Sequence, residues 1–194
     1  MYIKRMEIVW EKLLKEKLGV FFIFTLLLLI PNSIRLLSIF FLANLILPSD
    51  VKQKRDISFY YLPFSKGEIF LYTLALLLLL VTSAHFLTFG FISNSLYYFL
   101  NSLLYITNFA IIIFSISMLA VSNGLDNFGI TIIFLIIDSI LSHFGSITLD
   151  KNFNPYKLIS ITVQGNKFLT LLFAFVILYF AFKAYVGGDT YVEN

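Results

Sequence analysis

Six apolar runs make up more than half of this chain, and no other feature limits its fold as strongly. They cover 18–30, 36–47, 68–89, 103–121, 128–144 and 167–186, and are built mainly from Leu, Ile, Phe and Val. A helix needs about 20 such residues to cross the hydrocarbon core of a bilayer. The chain has 194 residues, of which 13% are charged, against about a quarter in a soluble domain. That leaves too little polar surface to cover a water-soluble globule. The expected fold is all-α: a polytopic membrane protein with six transmembrane helices.

The first two runs are short, and Pro31-Asn32-Ser33 divides them. They form either one long kinked span or a hairpin turning near Pro31–Arg35. Charge favours the hairpin, because it puts the basic segments 1–17 and 48–67 on one side, as the cytoplasmic excess of Lys and Arg requires. Six spans then leave both termini in the cytoplasm of a cell whose inner membrane holds the chain. Lys4, Arg5, Lys12, Lys15, Lys17, Lys52, Lys54, Arg55, Lys66 and Lys183 fall inside, while Arg35, Lys151, Lys157 and Lys167 fall outside. Residues 18–194 read as one membrane domain, with a cytoplasmic loop at 48–67 and an outer loop holding a short helix at 145–166. The aromatic segment 90–102 is expected at the interface.

Residues 1–17 read as an interfacial amphipathic helix. Ile3, Met6, Val9 or Trp10, Leu13 and Leu14 recur at helical spacing between Lys and Glu. Trp10 suits the headgroup level. Acids mixed with the bases, and no small-residue cleavage site, argue against a removable signal.

Several chemistries lack their residues. There is no cysteine, hence no disulfide framework or thiolate site. No GxxxxGK[ST], HExxH or GxSxG pattern occurs, so no nucleotide-binding or hydrolytic role is expected of this chain. No basic stripe with exposed aromatics suggests nucleic acid as a partner. The two histidines, His85 and His143, lack neighbouring ligands for a metal and are expected to hydrogen-bond structurally. Asp138 stands mid-run. A carboxylate there is either a proton or substrate site or, protonated, a bond across the bundle.

The polar loop is the most distinctive local stretch. Ile57, Tyr60, Tyr61 and Phe64 fall on one face of a short helix, with Lys54, Arg55 and Asp56 before it and Pro63 disturbing its end. Ser65 and Glu68 have the spacing of a capping box, in which each satisfies the other's amide at the start of the third span.

The string Leu62-Pro63-Phe64-Ser65-Lys66-Gly67-Glu68-Ile69 resembles the Leu-Pro-x-Ser-Arg-x-Glu-Ile pattern of type-2 ABC transporter permeases. In that family it follows an amphipathic helix and a two-span hairpin, the order found here. Lys66 replaces the common Arg, and Gly67 is a less usual filler. The resemblance implies that the segment near Asp50–Leu62, including Phe59, is a coupling helix docking on a separate ATPase. It further implies two ATPase copies carrying ATP and magnesium, a second permease copy (identical or paralogous), and export of an amphipathic substrate such as a peptide, lipid-like compound or drug. Two other readings stay open: a membrane assembly factor, sensor or immunity protein that uses the same loop, and a proton-coupled transporter using Asp138.

Overall fold

The computed structural model describes residues 2–31, 33–54, 64–88, 95–149 and 151–188. The helices are α1 (Tyr2–Glu16), α2 (Leu18–Leu28), α3 (Ser33–Leu45), α4 (Pro48–Lys52), α5 (Lys66–Leu87), α6 (Leu96–Ser122), α7 (Asn127–His143), α8 (Tyr156–Ile159) and α9 (Lys167–Gly187). No strand occurs among the described residues.

Four helical stretches are long and apolar enough to cross a membrane: Ser33–Lys52, which joins α3 to α4, then Lys66–Leu87, Leu96–Ser122 and Lys167–Gly187. The other two apolar helices have 11 and 17 residues. At 1.5 Å per residue they rise only about 17 and 26 Å against a hydrocarbon core of roughly 30 Å. The expectation of six spans therefore narrows to four helices of membrane length.

The core forms around α6, which packs against α3, α4, α5, α7 and α9. From Asn108 to Ser117 every residue of α6 is buried, the signature of a helix surrounded by others. It starts at Leu96, so residues 96–102 continue this helix instead of forming a separate interfacial segment.

Successive apolar helices alternate in direction. Lys17, before α2, bonds to the C-terminal end of α3, which fits the hairpin. One end of the bundle gathers α1, α4, the start of α5 and the α6–α7 connection, and it is the basic end. The other gathers the α2–α3 turn, the end of α5 and segment 143–166.

α1 is amphipathic, and its apolar face meets protein. Val9 and Leu13 are fully buried, and Trp10 Nε1 donates to the Tyr72 carbonyl of α5 at 2.8 Å. Trp10 thus docks on a neighbouring helix through the donor that headgroup anchoring would have used.

Arg35 also departs from expectation. It lies inside α3, only 3% exposed, and is no outer-loop charge. Its Nε donates to the carbonyl of Leu28 at 2.8 Å, a group left without an intrahelical partner where α2 ends.

Candidate functional site

The basic end holds the polar loop through its two flanks. On the N-terminal flank, Pro48 has no N–H to give the Asn44 carbonyl one turn back. The helix breaks at Ile46–Leu47 and leaves carbonyls that a membrane interior cannot hydrate. Side chains take them up. Asn127 Nδ2 donates to the Asn44 carbonyl at 3.0 Å. Lys17 Nζ donates to the Leu45 carbonyl and to the Ile46 carbonyl at 2.7 Å. Lys17 also pairs with Asp50 at 2.7 Å, where both side chains are largely buried. Asn44 itself ties three helices together, since its Oδ1 accepts from Ser117 at 2.9 Å and Thr131 at 3.3 Å.

These contacts move the boundary of the loop. Pro48, Ser49 and Asp50 are buried in α4 and belong to the bundle. The helix stops at Lys52, and Lys54 follows in the left-handed region with φ 55°. A helix running on from Asp50 does not occur there. Lys52 reaches across to Asp126, which caps α7 by accepting from the Gly129 amide at 2.6 Å. Lys52, and after it the Gly129 amide, hold the Asp126 carboxyl below the usual carboxylate range.

On the C-terminal flank, Ser65 and Glu68 form both halves of the capping box. The Glu68 amide donates to Ser65 Oγ at 3.2 Å, and the Ser65 amide donates to Glu68 Oε2 at 2.9 Å. Arg5 of α1 donates to Glu68 Oε1 at 3.0 Å, so the cap is also the junction of the amphipathic helix with α5. Phe64 was expected on the helical face of the loop. It is instead non-helical and 8% exposed, beneath the Arg5 guanidinium. Gly67 has a packing reason: a Cβ there would stand 3.2 Å from the Phe182 ring of α9. Lys66 Nζ donates to the Gly188 carbonyl at 2.8 Å.

Arg55, Asp56, Ile57, Phe59, Tyr60, Tyr61, Leu62 and Pro63 lie outside the described residues, as does the short helix expected over them.

Asp138 is 1% exposed and sits at the opposite end of the bundle, on α7. Its partners belong to one segment. Oδ1 accepts from the Tyr156 hydroxyl at 2.5 Å and the Ile161 amide at 3.1 Å. Oδ2 accepts from Ser160 Oγ at 3.0 Å, the Thr162 amide at 3.0 Å and Thr162 Oγ1 at 2.7 Å. The carboxylate thereby supplies acceptors for a turn whose amides have no helix to serve. Burial, and then the bond to Asp138, push the Tyr156 phenol up. Tyr105 and Gln164 extend the fastening: Tyr105 OH donates to the Thr162 carbonyl at 3.0 Å, and Gln164 Nε2 to the Tyr105 carbonyl at 2.9 Å.

His85 is fully buried and stands 3.0 Å from Arg35 Nη1 through Nδ1, while its Nε2 lies 3.3 Å from the Phe99 carbonyl. His143 ends α7 with its ring against Phe144. Among the described residues no group of three or more His, Asp or Glu is placed to hold a metal.

No family model, no curated protein and no solved structure matches this chain.

Sequence reading missed Lys17, Arg35, Asn44, Asn127 and Thr131 as functional positions. For Arg35 a signal existed: it stands one residue before the second apolar run, where the helix can begin early enough to take the charge inside. For the others the signal was Pro48, which orphans a carbonyl one turn back and so calls for donors elsewhere.

Proposed function

We propose that this chain is the membrane subunit of an ATP-driven exporter of the type-2 ABC permease kind. It works in the inner membrane with both termini in the cytoplasm, paired with a second permease copy and served by two copies of a separate ATPase subunit that carries ATP and magnesium. Segment 54–63 is the coupling element, and the substrate class is amphipathic: a peptide, a lipid-like compound or a drug. One observation carries the reading. The loop is anchored at both flanks to rigid helices, by Lys17–Asp50 and Lys52–Asp126 before it and by Arg5–Glu68–Ser65 after it. A push on such a loop reaches α3, α5, α7 and α1 together. The asparagine and lysine that repair the α3–α4 break make it a firm lever arm.

In the Asp138 cradle all contacts come from the segment the carboxylate fastens. This supports a fastening role over a proton path.

Tyr60→Ala and Tyr61→Ala test the proposal. Each is expected to abolish stimulation of the partner ATPase by the permease while leaving its thermal stability unchanged. Unchanged stimulation in both variants counts against the coupling role.

A further inference from the structure

Arg35 is a buried guanidinium that no carboxylate among the described residues pairs. It contacts three residues, donating to the Leu28 carbonyl that closes α2, to His85 on α5 and to Thr88, which caps α5, the last at 2.7 Å through Nη2. Thr88 Oγ1 in turn donates to the Ala84 carbonyl at 3.0 Å. His85 completes the cluster by stacking on Phe99 of α6 with centroids 4.8 Å apart. So four segments meet on two side chains at the end of the bundle opposite the basic loop.

The chemistry of the Arg35–His85 contact allows one arrangement. A guanidinium has donors and no acceptor. At 3.0 Å from Arg35 Nη1, His85 Nδ1 must therefore be the acceptor and carry no proton. The ring proton is then on Nε2, where it faces the Phe99 carbonyl at 3.3 Å. A second proton on this ring has only Nδ1 to occupy, and there it would point at an N–H of Arg35. Two donors and two positive charges would face each other between buried side chains.

Among the described residues no other charge relieves that conflict. Phe99, Thr88 and the Leu28 carbonyl are uncharged. The acids of α1, with Asp50, Glu68 and Asp126, lie at the basic end. Asp138 is taken up by segment 156–162. Arg35 is the only titratable group in contact with His85 among the described residues.

We infer that Arg35 and His85 form a proton-sensitive latch. With His85 neutral, the closed end of the α2–α3 hairpin is held against α5 and α6. When His85 takes a second proton, the Arg35 bond is lost and the hairpin end separates from them. The latch senses acidity on the side opposite the basic loop. It stands independently of the transport reading, because it needs only these residues and a bilayer.

The chain has no cysteine, so spin labels can be placed at Ile30→Cys and Leu96→Cys without removing native thiols. Both positions are exposed and flank the latch. In lipid nanodiscs, the labels are compared as the pH is lowered from about 8 to about 5. The distance between the labels is expected to lengthen and broaden over that range in the native background. With His85→Gln it should stay short and constant, since the amide can accept from Arg35 and donate to Phe99 without titrating. A distance that does not change with pH in the native background overturns the latch, as does an equal change in the Gln variant. Independently, His143→Gln leaves His85 as the single histidine. Its imidazole nitrogen spectrum at about pH 8 should show a proton on Nε2 and none on Nδ1. The opposite tautomer overturns the proposal whether or not the His85 variant folds.

Discussion

The two ends of the bundle solve one problem with opposite charges. At the basic end, Pro48 and the break behind it orphan carbonyls, and donors collect there: Lys17 and Asn127. At the far end, the turn 160–162 presents amides and hydroxyls, and an acceptor collects there: Asp138. The sign of the buried charge follows from which backbone group the break leaves unpaired. In water either group would be hydrated and the charge unnecessary; in a bilayer the side chain replaces the solvent. The ends also differ in reach. Asp138 serves one segment and makes a compact fastening, whereas the basic end spreads its bonds over α1, α3, α4, α5, α6 and α7 and leaves the loop between them.

The comparison breaks most easily at Asp138. Asp138→Ala leaves two backbone amides buried without acceptors, for an expected loss of about 3–5 kcal/mol. Thermal unfolding in detergent measures it, and proteolysis should then cut within 145–166 before any other region. A smaller loss, of about 2–4 kcal/mol, is expected for Lys17→Met, which takes the ammonium from Asp50 and from the Ile46 carbonyl while Ser49 still serves Leu45. Adding Asp50→Leu to that variant should restore part of the loss, because the buried carboxylate goes with it.

Asn127→Ala sharpens the comparison. On its own it is expected to cost about 1–2 kcal/mol by leaving the Asn44 carbonyl unpaired. In a Pro48→Ala background the restored amide serves that carbonyl, and the cost of Asn127→Ala should fall to near zero. A cost that is the same in both backgrounds would show that the asparagine is not repairing the break.

The smallest effects belong to the exposed contacts. Asp126→Ala removes an N-cap and is expected to cost about 1 kcal/mol. The folded protein holds this carboxyl below its ordinary value, chiefly through Lys52. Its contribution is therefore complete above the unfolded carboxylate pKa and is lost as pH falls through the lowered one. Lys52→Ala should cost less than about 0.5 kcal/mol, since that pair is half exposed.

What could be read in the sequence was local. The period of α1, the apolar runs and the Ser65–Glu68 box depend on residues within a turn or two of each other. What could not be read depended on distant pairs. Lys17 finds Ser49 across 32 positions, Arg35 finds His85 across 50, and Asn127 finds Asn44 across 83. Pro48, Ser49 and Asp50 looked like the start of a loop because they are polar. They are buried because Lys17 neutralises one of them and caps the broken turn. Arg35 looked like a loop charge because it follows a proline-marked turn, and it is buried because α2 ends with a carbonyl that it can serve. Four of the six apolar runs form helices of membrane length, because hydropathy marks apolar runs but does not give the length of the helix each run forms.

The most direct test isolates the full-length tagged chain from its own membranes with gentle detergent and measures hydrolysis of Mg-ATP in the eluate, beside Tyr60→Ala and Tyr61→Ala purified alike. The expected result is hydrolysis with the native chain and a fall of about tenfold or more in each variant, as befits aromatic anchors at an interface. An eluate without hydrolysis, or with equal hydrolysis in all three, would contradict the reading of 54–63 as the joint between this chain and an ATPase.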